Sequence, residues 1–108
     1  MTDPAGLNDL PSEARQQDGV VTRVLKICNK RGLHARASAK FVQTVEKFDA
    51  EVKVKRGHEV VGGTSIMGLM MLAAGPGTSI TVEATGREAA EVIEALAALV
   101  SGRFTEQE

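Results

Sequence analysis

The stretch Val20-Val21-Thr22-Arg23-Val24-Leu25-Lys26-Ile27-Cys28-Asn29-Lys30-Arg31-Gly32-Leu33-His34-Ala35-Arg36 holds the turning point of this chain. Up to Cys28 it reads as a strand, with Val21, Leu25 and Ile27 on one face and Thr22, Lys26 and Cys28 on the other. From Ala35 to Phe48 the period changes. Ser38, Phe41, Val42, Val45 and Phe48 follow the i, i+3, i+4, i+7 rule of an amphipathic helix. His34 therefore falls at or just before a helix N-terminus, where the first N–H groups lack intrahelical partners and the dipole end is positive. Such a place accepts a phosphoryl group, and a histidine there can carry the phosphate itself.

The local charge agrees. Arg23, Lys26, Lys30, Arg31, Arg36 and Lys40 lie between Gly19 and Val45 with no acid among them, although the whole chain has 13 basic and 14 acidic residues. The positive field belongs to the neighbourhood of His34, where it suits a phosphate or an acidic partner surface. Lys26 and Lys40 also fit the plainer role of solvated surface charges.

Working outward, the periodicity switches repeatedly. Val52 and Val54 alternate with Glu51, Lys53 and Lys55 as a half-buried strand, and Arg56-Gly57-His58-Glu59 reverses it into a return strand at Val60-Val61. Thr64 or Ser65 can cap a short helix from Ile66 to about Ala73, which Gly75-Pro76-Gly77 breaks. Ile80 and Val82 mark another strand. Ala89, Val92, Ile93, Leu96, Leu99 and Val100 form the stripe of a last helix, from about Arg87 to Val100, ended by Gly102. The order β-α-β-β-α-β-α predicts an α+β, two-layer open-faced β-sandwich. Its sheet has four mainly antiparallel strands, and three helices cover one face, because each strand shows one apolar side.

Length and composition set bounds. A chain of 108 residues with 43% hydrophobic content makes one small domain, with little room for a deep catalytic cavity. Residues 1–19 carry four acids, one base and several Pro and Gly, and read as a flexible acidic tail. Residues 20–102 make the folded domain, and 103–108 read as a C-terminal fray. Three Phe and no Trp or Tyr disfavour the stacking platforms that bind single-stranded nucleic acid. Cys28 is the one cysteine, so no intrachain disulfide forms, and its plain reading is a half-buried small residue late in a strand. Ile66 to Ala74, the longest mostly apolar run, is far short of the ~20 residues that span a bilayer, and no secretory signal is evident. A cytoplasmic, soluble monomer is expected. Two histidines and one cysteine at no recognisable spacing make no metal site, and His58 reads as an exposed turn residue.

The short helix is too apolar to be one-sided. Leu69 and Leu72 can face the core, which leaves Ile66, Met67, Met70 and Met71 to form an exposed, adaptable patch.

Gly32-Leu33-His34-Ala35-Arg36 resembles the active-site signature of the histidine-containing phosphocarrier protein (HPr) family of the phosphoenolpyruvate-dependent phosphotransferase system. Thr64-Ser65-Ile66-Met67-Gly68-Leu69-Met70 resembles its regulatory serine segment. The resemblance covers residues 20–102. It implies that His34 takes a phosphoryl group on Nδ1 from enzyme I and passes it to enzyme II-type acceptors. Arg36 and the backbone of Ala35, Arg36 and Ala37 would hold the phosphate. It further implies phosphorylation of Ser65 by an HPr kinase/phosphorylase, docking through Ile66, Met67, Met70 and Met71, and no cofactor. Such a protein is a carrier with no turnover of its own. The family usually has Pro where this chain has Ala37, which returns an N–H donor to the first helical turn. The alternative is a regulatory binding module controlled at Ser65, with no relay through His34.

Overall fold

The computed structural model describes residues 16–17 and 19–106. Most of the expected acidic tail, residues 1–15, lies outside them. The strands are β1 (Gln16–Gln17), β2 (Val20–Lys26), β3 (Glu51–Arg56), β4 (Glu59–Gly62) and β5 (Ser79–Thr85). The helices are α1 (Ala35–Val45), α2 (Ile66–Met71) and α3 (Ala89–Ser101), followed by a 3-10 turn at Arg103–Thr105. The sheet order is β1-β2-β5-β3-β4 and every pairing is antiparallel. The four expected strands are present in the α+β sandwich, and the two-residue β1 extends the edge beside Val20 and Val21.

The apolar face of each strand points at the helices. Val21, Leu25, Val52, Val54, Ile80, Val82 and Ala84 are buried, and Phe41, Val45, Val92, Ile93 and Leu96 close over them from α1 and α3. Val24 and Val60 stay exposed. Gly57 and His58 form the β3–β4 turn between the paired Arg56 and Glu59, and His58 is exposed as expected. Helix α1 stops at Val45, three residues before Phe48, its end finished by turn bonds from Lys47 N–H to Thr44 O and Phe48 N–H to Val45 O.

Two expectations need correction. Strand β2 ends at Lys26, so Cys28 lies beyond it and is exposed, its thiol donating to Val100 O at 3.2 Å. The expected C-terminal fray is not what residues 103–106 do. Phe104 is 0% exposed, one of the largest fully buried side chains, and its burial fastens the segment to the core.

Candidate functional site

His34 is the N-cap residue of α1, with extended backbone at φ −77° and ψ −177°. It precedes the helix and does not belong to it, because its Nδ1 accepts the N–H of Arg36 at 3.3 Å, a local bond that competes with helical continuation. His34 O accepts the N–H of Ser38 at 2.8 Å, which closes the first helical turn. The first N–H groups of α1 have no partner one turn back, and that of Arg36 meets the imidazole. No acidic residue occupies the first turn.

The loop before His34 is tied on both sides. Leu33 N–H donates to Ala74 O at 3.0 Å, and Gly32 N–H donates to Asn29 O at 3.2 Å. Asn29 is fully buried and its Nδ2 donates to Gly32 O at 2.9 Å. Ser38 hydroxyl donates to Leu33 O at 3.2 Å, and Ala37 is 0% exposed. The histidine thus stands on a packed base while its ring reaches the surface.

Lys30, Arg31, His34, Arg36, Lys40, Thr105 and Glu106 line a half-open cleft. The structure therefore brings Arg36 beside His34 as expected, and adds two groups from the end of the chain. One carboxylate oxygen of Glu106 is hydrogen-bonded to Nε2 of His34. Its other carboxylate oxygen accepts from Asn29 Nδ2 at 3.0 Å. Burial alone pushes the Glu106 carboxyl up. The hydrogen bonds from Asn29 and His34, with the charges of His34 and Lys40, outweigh that and hold it below the usual carboxylate value. Lys40 is not simply solvated: its Nζ donates to Phe104 O at 2.6 Å and to Thr105 Oγ1 at 2.7 Å.

Neither Glu106 nor Asn29 stood out in the sequence. A signal for the first was available, since Phe104 is an aromatic residue in an otherwise polar tail and had to be buried somewhere.

Ser65 caps α2, its hydroxyl accepting Gly68 N–H at 3.0 Å. Leu69 and Leu72 are buried, while Ile66, Met67, Met70 and Met71 are 40%, 71%, 40% and 67% exposed. The patch is on the surface as expected. Its α2 helix packs against α1, and the segment leaving it reaches the His34 loop at Ala74. Among the described residues no helix is long and apolar enough to cross a membrane, and no group of His, Cys, Asp or Glu could hold a metal ion.

The model of the family described as "PTS HPr component phosphorylation site" matches residues 21–102. A phosphocarrier protein HPr of Neisseria meningitidis is 52% identical over 84 residues, covering 78% of this chain and 94% of that protein. One from Cupriavidus necator is 47% identical over 89 residues, covering 82% of this chain and 100% of that protein. The crystal structure of HPr-C-His from Thermoanaerobacter tengcongensis superposes with a TM-score of 0.76 at 38% identity, covering 81% of this chain and 98% of that one. A histidine at a helix N-terminus in a basic cleft, on this fold and with these relatives, has one family meaning: the chain belongs to the HPr phosphocarriers of the phosphotransferase system, whose function is phosphoryl relay.

Proposed function

We propose that Nδ1 of His34 is the atom that carries the phosphoryl group, received from phosphoenolpyruvate by way of enzyme I and delivered to enzyme II-type acceptors. The observation that supports this most is the hydrogen bond from Arg36 N–H to Nδ1. A nitrogen that accepts from an amide has its lone pair directed at the helix N-terminus, where an incoming phosphate gains from the same amides. Arg36, on the rim of the cleft, supplies a fork of donors for the phosphate oxygens. The N–H groups of Ala35, Arg36 and Ala37 complete the cradle, and Ala37 contributes a donor that a proline would lack. The cleft is half-open, which suits a carrier that must release its cargo. The protein acts as a monomer that changes partners and completes no turnover alone.

Ile66, Met67, Met70 and Met71 form the docking surface in this reading, supported by their exposure on the helix that packs beside α1. Phosphorylation of Ser65 by a kinase/phosphorylase of the family would place a dianion at the edge of that surface and repel an acidic partner. The deciding experiment is labelling from phosphoenolpyruvate and enzyme I. Wild type takes up one acid-labile phosphoryl group, and His34→Ala takes up none while keeping its circular dichroism and thermal midpoint. Labelling that persists in His34→Ala overturns the assignment.

A further inference from the structure

We propose that Glu106 is a positioning residue for the transfer: its carboxylate holds the His34 ring in the Nε2–H tautomer and leaves Nδ1 as the nucleophile. This rests on the reading of His34 as the phosphoryl acceptor. The two ring nitrogens face groups of opposite kind. A backbone N–H can only donate, so Nδ1, which meets that of Arg36, must offer a lone pair. An ionised carboxylate can only accept, so Nε2, which meets Glu106, must carry the hydrogen. Both contacts require the same tautomer.

The carboxylate is itself held. Glu106 is 12% exposed, and its second oxygen takes a hydrogen bond from Asn29, whose Nδ2 is shared with Gly32 O. The same buried amide therefore aligns the carboxylate and the loop that presents the ring. The chain reaches this position through Arg103, Phe104 and Thr105, three successive non-glycine residues at φ 58°, 55° and 58°. L-residues disfavour that left-handed conformation, and it persists only where the surroundings over-determine it. Here the surroundings are the fully buried Phe104 ring and Lys40, which grips both Phe104 O and Thr105 Oγ1. What the turn accomplishes is to return the chain end to the histidine ring.

In the transfer, the Nδ1 lone pair forms the bond to phosphorus while the bond from phosphorus to the donor's leaving atom breaks, its electron pair departing with the donor. The ring, still protonated at Nε2, acquires positive charge, and that charge lies against the Glu106 carboxylate. Delivery to an acceptor reverses these steps. The incoming phosphate meets Arg36 and the helix amides on the Nδ1 side, with Lys30, Arg31 and Lys40 on the walls of the same cleft.

The test compares wild type, Glu106→Gln and Glu106→Ala by nitrogen NMR of the His34 ring and by the rate of phosphoryl uptake from phosphorylated enzyme I. In wild type at pH 8 the unphosphorylated ring is expected mainly as Nε2–H. In Glu106→Ala only the Arg36 amide still selects that tautomer, so the share of Nδ1–H rises, and uptake slows roughly 10- to 100-fold, the loss of one charge-assisted hydrogen bond. Glu106→Gln, which can still accept from Nε2–H, keeps the tautomer and loses only part of the rate. An unchanged tautomer in Glu106→Ala, or an unchanged rate in both variants, overturns the proposal. The tautomer is read on unphosphorylated protein, so failure of His34 to become labelled is a separate result that strikes the carrier reading itself.

Discussion

A Cβ on Gly32 would stand 2.3 Å from the carbonyl oxygen of Ala74, the same oxygen that accepts Leu33 N–H. The loop that presents His34 is therefore pressed against the segment that follows α2, at a distance only glycine permits. Gly32 also has φ +65°, a left-handed conformation. Gly32→Ala combines that penalty with a backbone collision, and is expected to cost about 3 kcal/mol or more. Gly57 has a similar φ of +62° but open space around it, so Gly57→Ala shows the conformational part alone, about 1–2 kcal/mol. Urea unfolding of both variants measures the difference. Equal losses would mean that the Gly32–Ala74 approach contributes nothing.

Arg36 lies on the exposed rim of the cleft, so its removal should leave stability within about 0.5 kcal/mol of wild type. In the proposed relay its contribution is to the transfer. Arg36→Ala is expected to slow phosphoryl uptake by no more than about 2–4 kcal/mol of barrier, without abolishing labelling, because the helix amides remain. Arg36→Lys restores the charge but not the planar fork, and recovers only part of the rate. Stopped-flow or quench-flow transfer from phosphorylated enzyme I gives both numbers. Full recovery by lysine would show that field strength alone matters at this position.

Most of this fold was legible because its elements are short and their periods clean. Val52 and Val54 against Lys53 announce one strand, and the Ala89 to Val100 stripe announces one helix. His34 was legible for a local reason as well, since a strand-to-helix change in period locates the N-terminus where it sits. The partner of its ring was not. Glu106 lies 72 residues away, and nothing in local periodicity connects the two. The polar composition of the last residues suggested fraying. The decisive contrary fact is packing: one buried phenylalanine draws three residues into a left-handed turn and delivers the carboxylate. Asn29 escaped notice because a buried amide is recognised by what it bonds, and both of its acceptors are set by tertiary structure or turn geometry.

Glu106 also gives the fold a pH dependence whose sign is fixed. Burial pushes its carboxyl up, but the Asn29 and His34 hydrogen bonds and the charges of His34 and Lys40 bring it below the ordinary value of 4.5. As pH falls past about 4.5 the unfolded chain takes up this proton before the folded one does. The stabilisation is therefore complete above that value and disappears as pH drops through the lower, folded value. Glu106→Gln should be less stable than wild type at pH 7, and the gap should be smaller at pH 3. Paired unfolding curves at the two pH values check this. A gap that stays constant would assign the loss to shape and not to charge.

Ser65 separates two roles that a single substitution would confuse. Its hydroxyl accepts Gly68 N–H at 3.0 Å and so caps α2, whatever else it does. Ser65→Ala removes the cap and is expected to cost about 1 kcal/mol, while Asp caps as well as Ser. Ser65→Asp should therefore keep the thermal midpoint of wild type. Docking should follow the opposite order. A carboxylate at the N-terminal end of the helix that carries the exposed Met67 and Met71 should weaken association with an acidic partner, and the alanine should not. Calorimetry for stability, with titration against enzyme I at low and high salt for docking, gives the two rankings. If both properties fall together in Ser65→Ala and neither falls in Ser65→Asp, the residue is a cap only, and a charge at the edge of the methionine patch has no bearing on which partner binds.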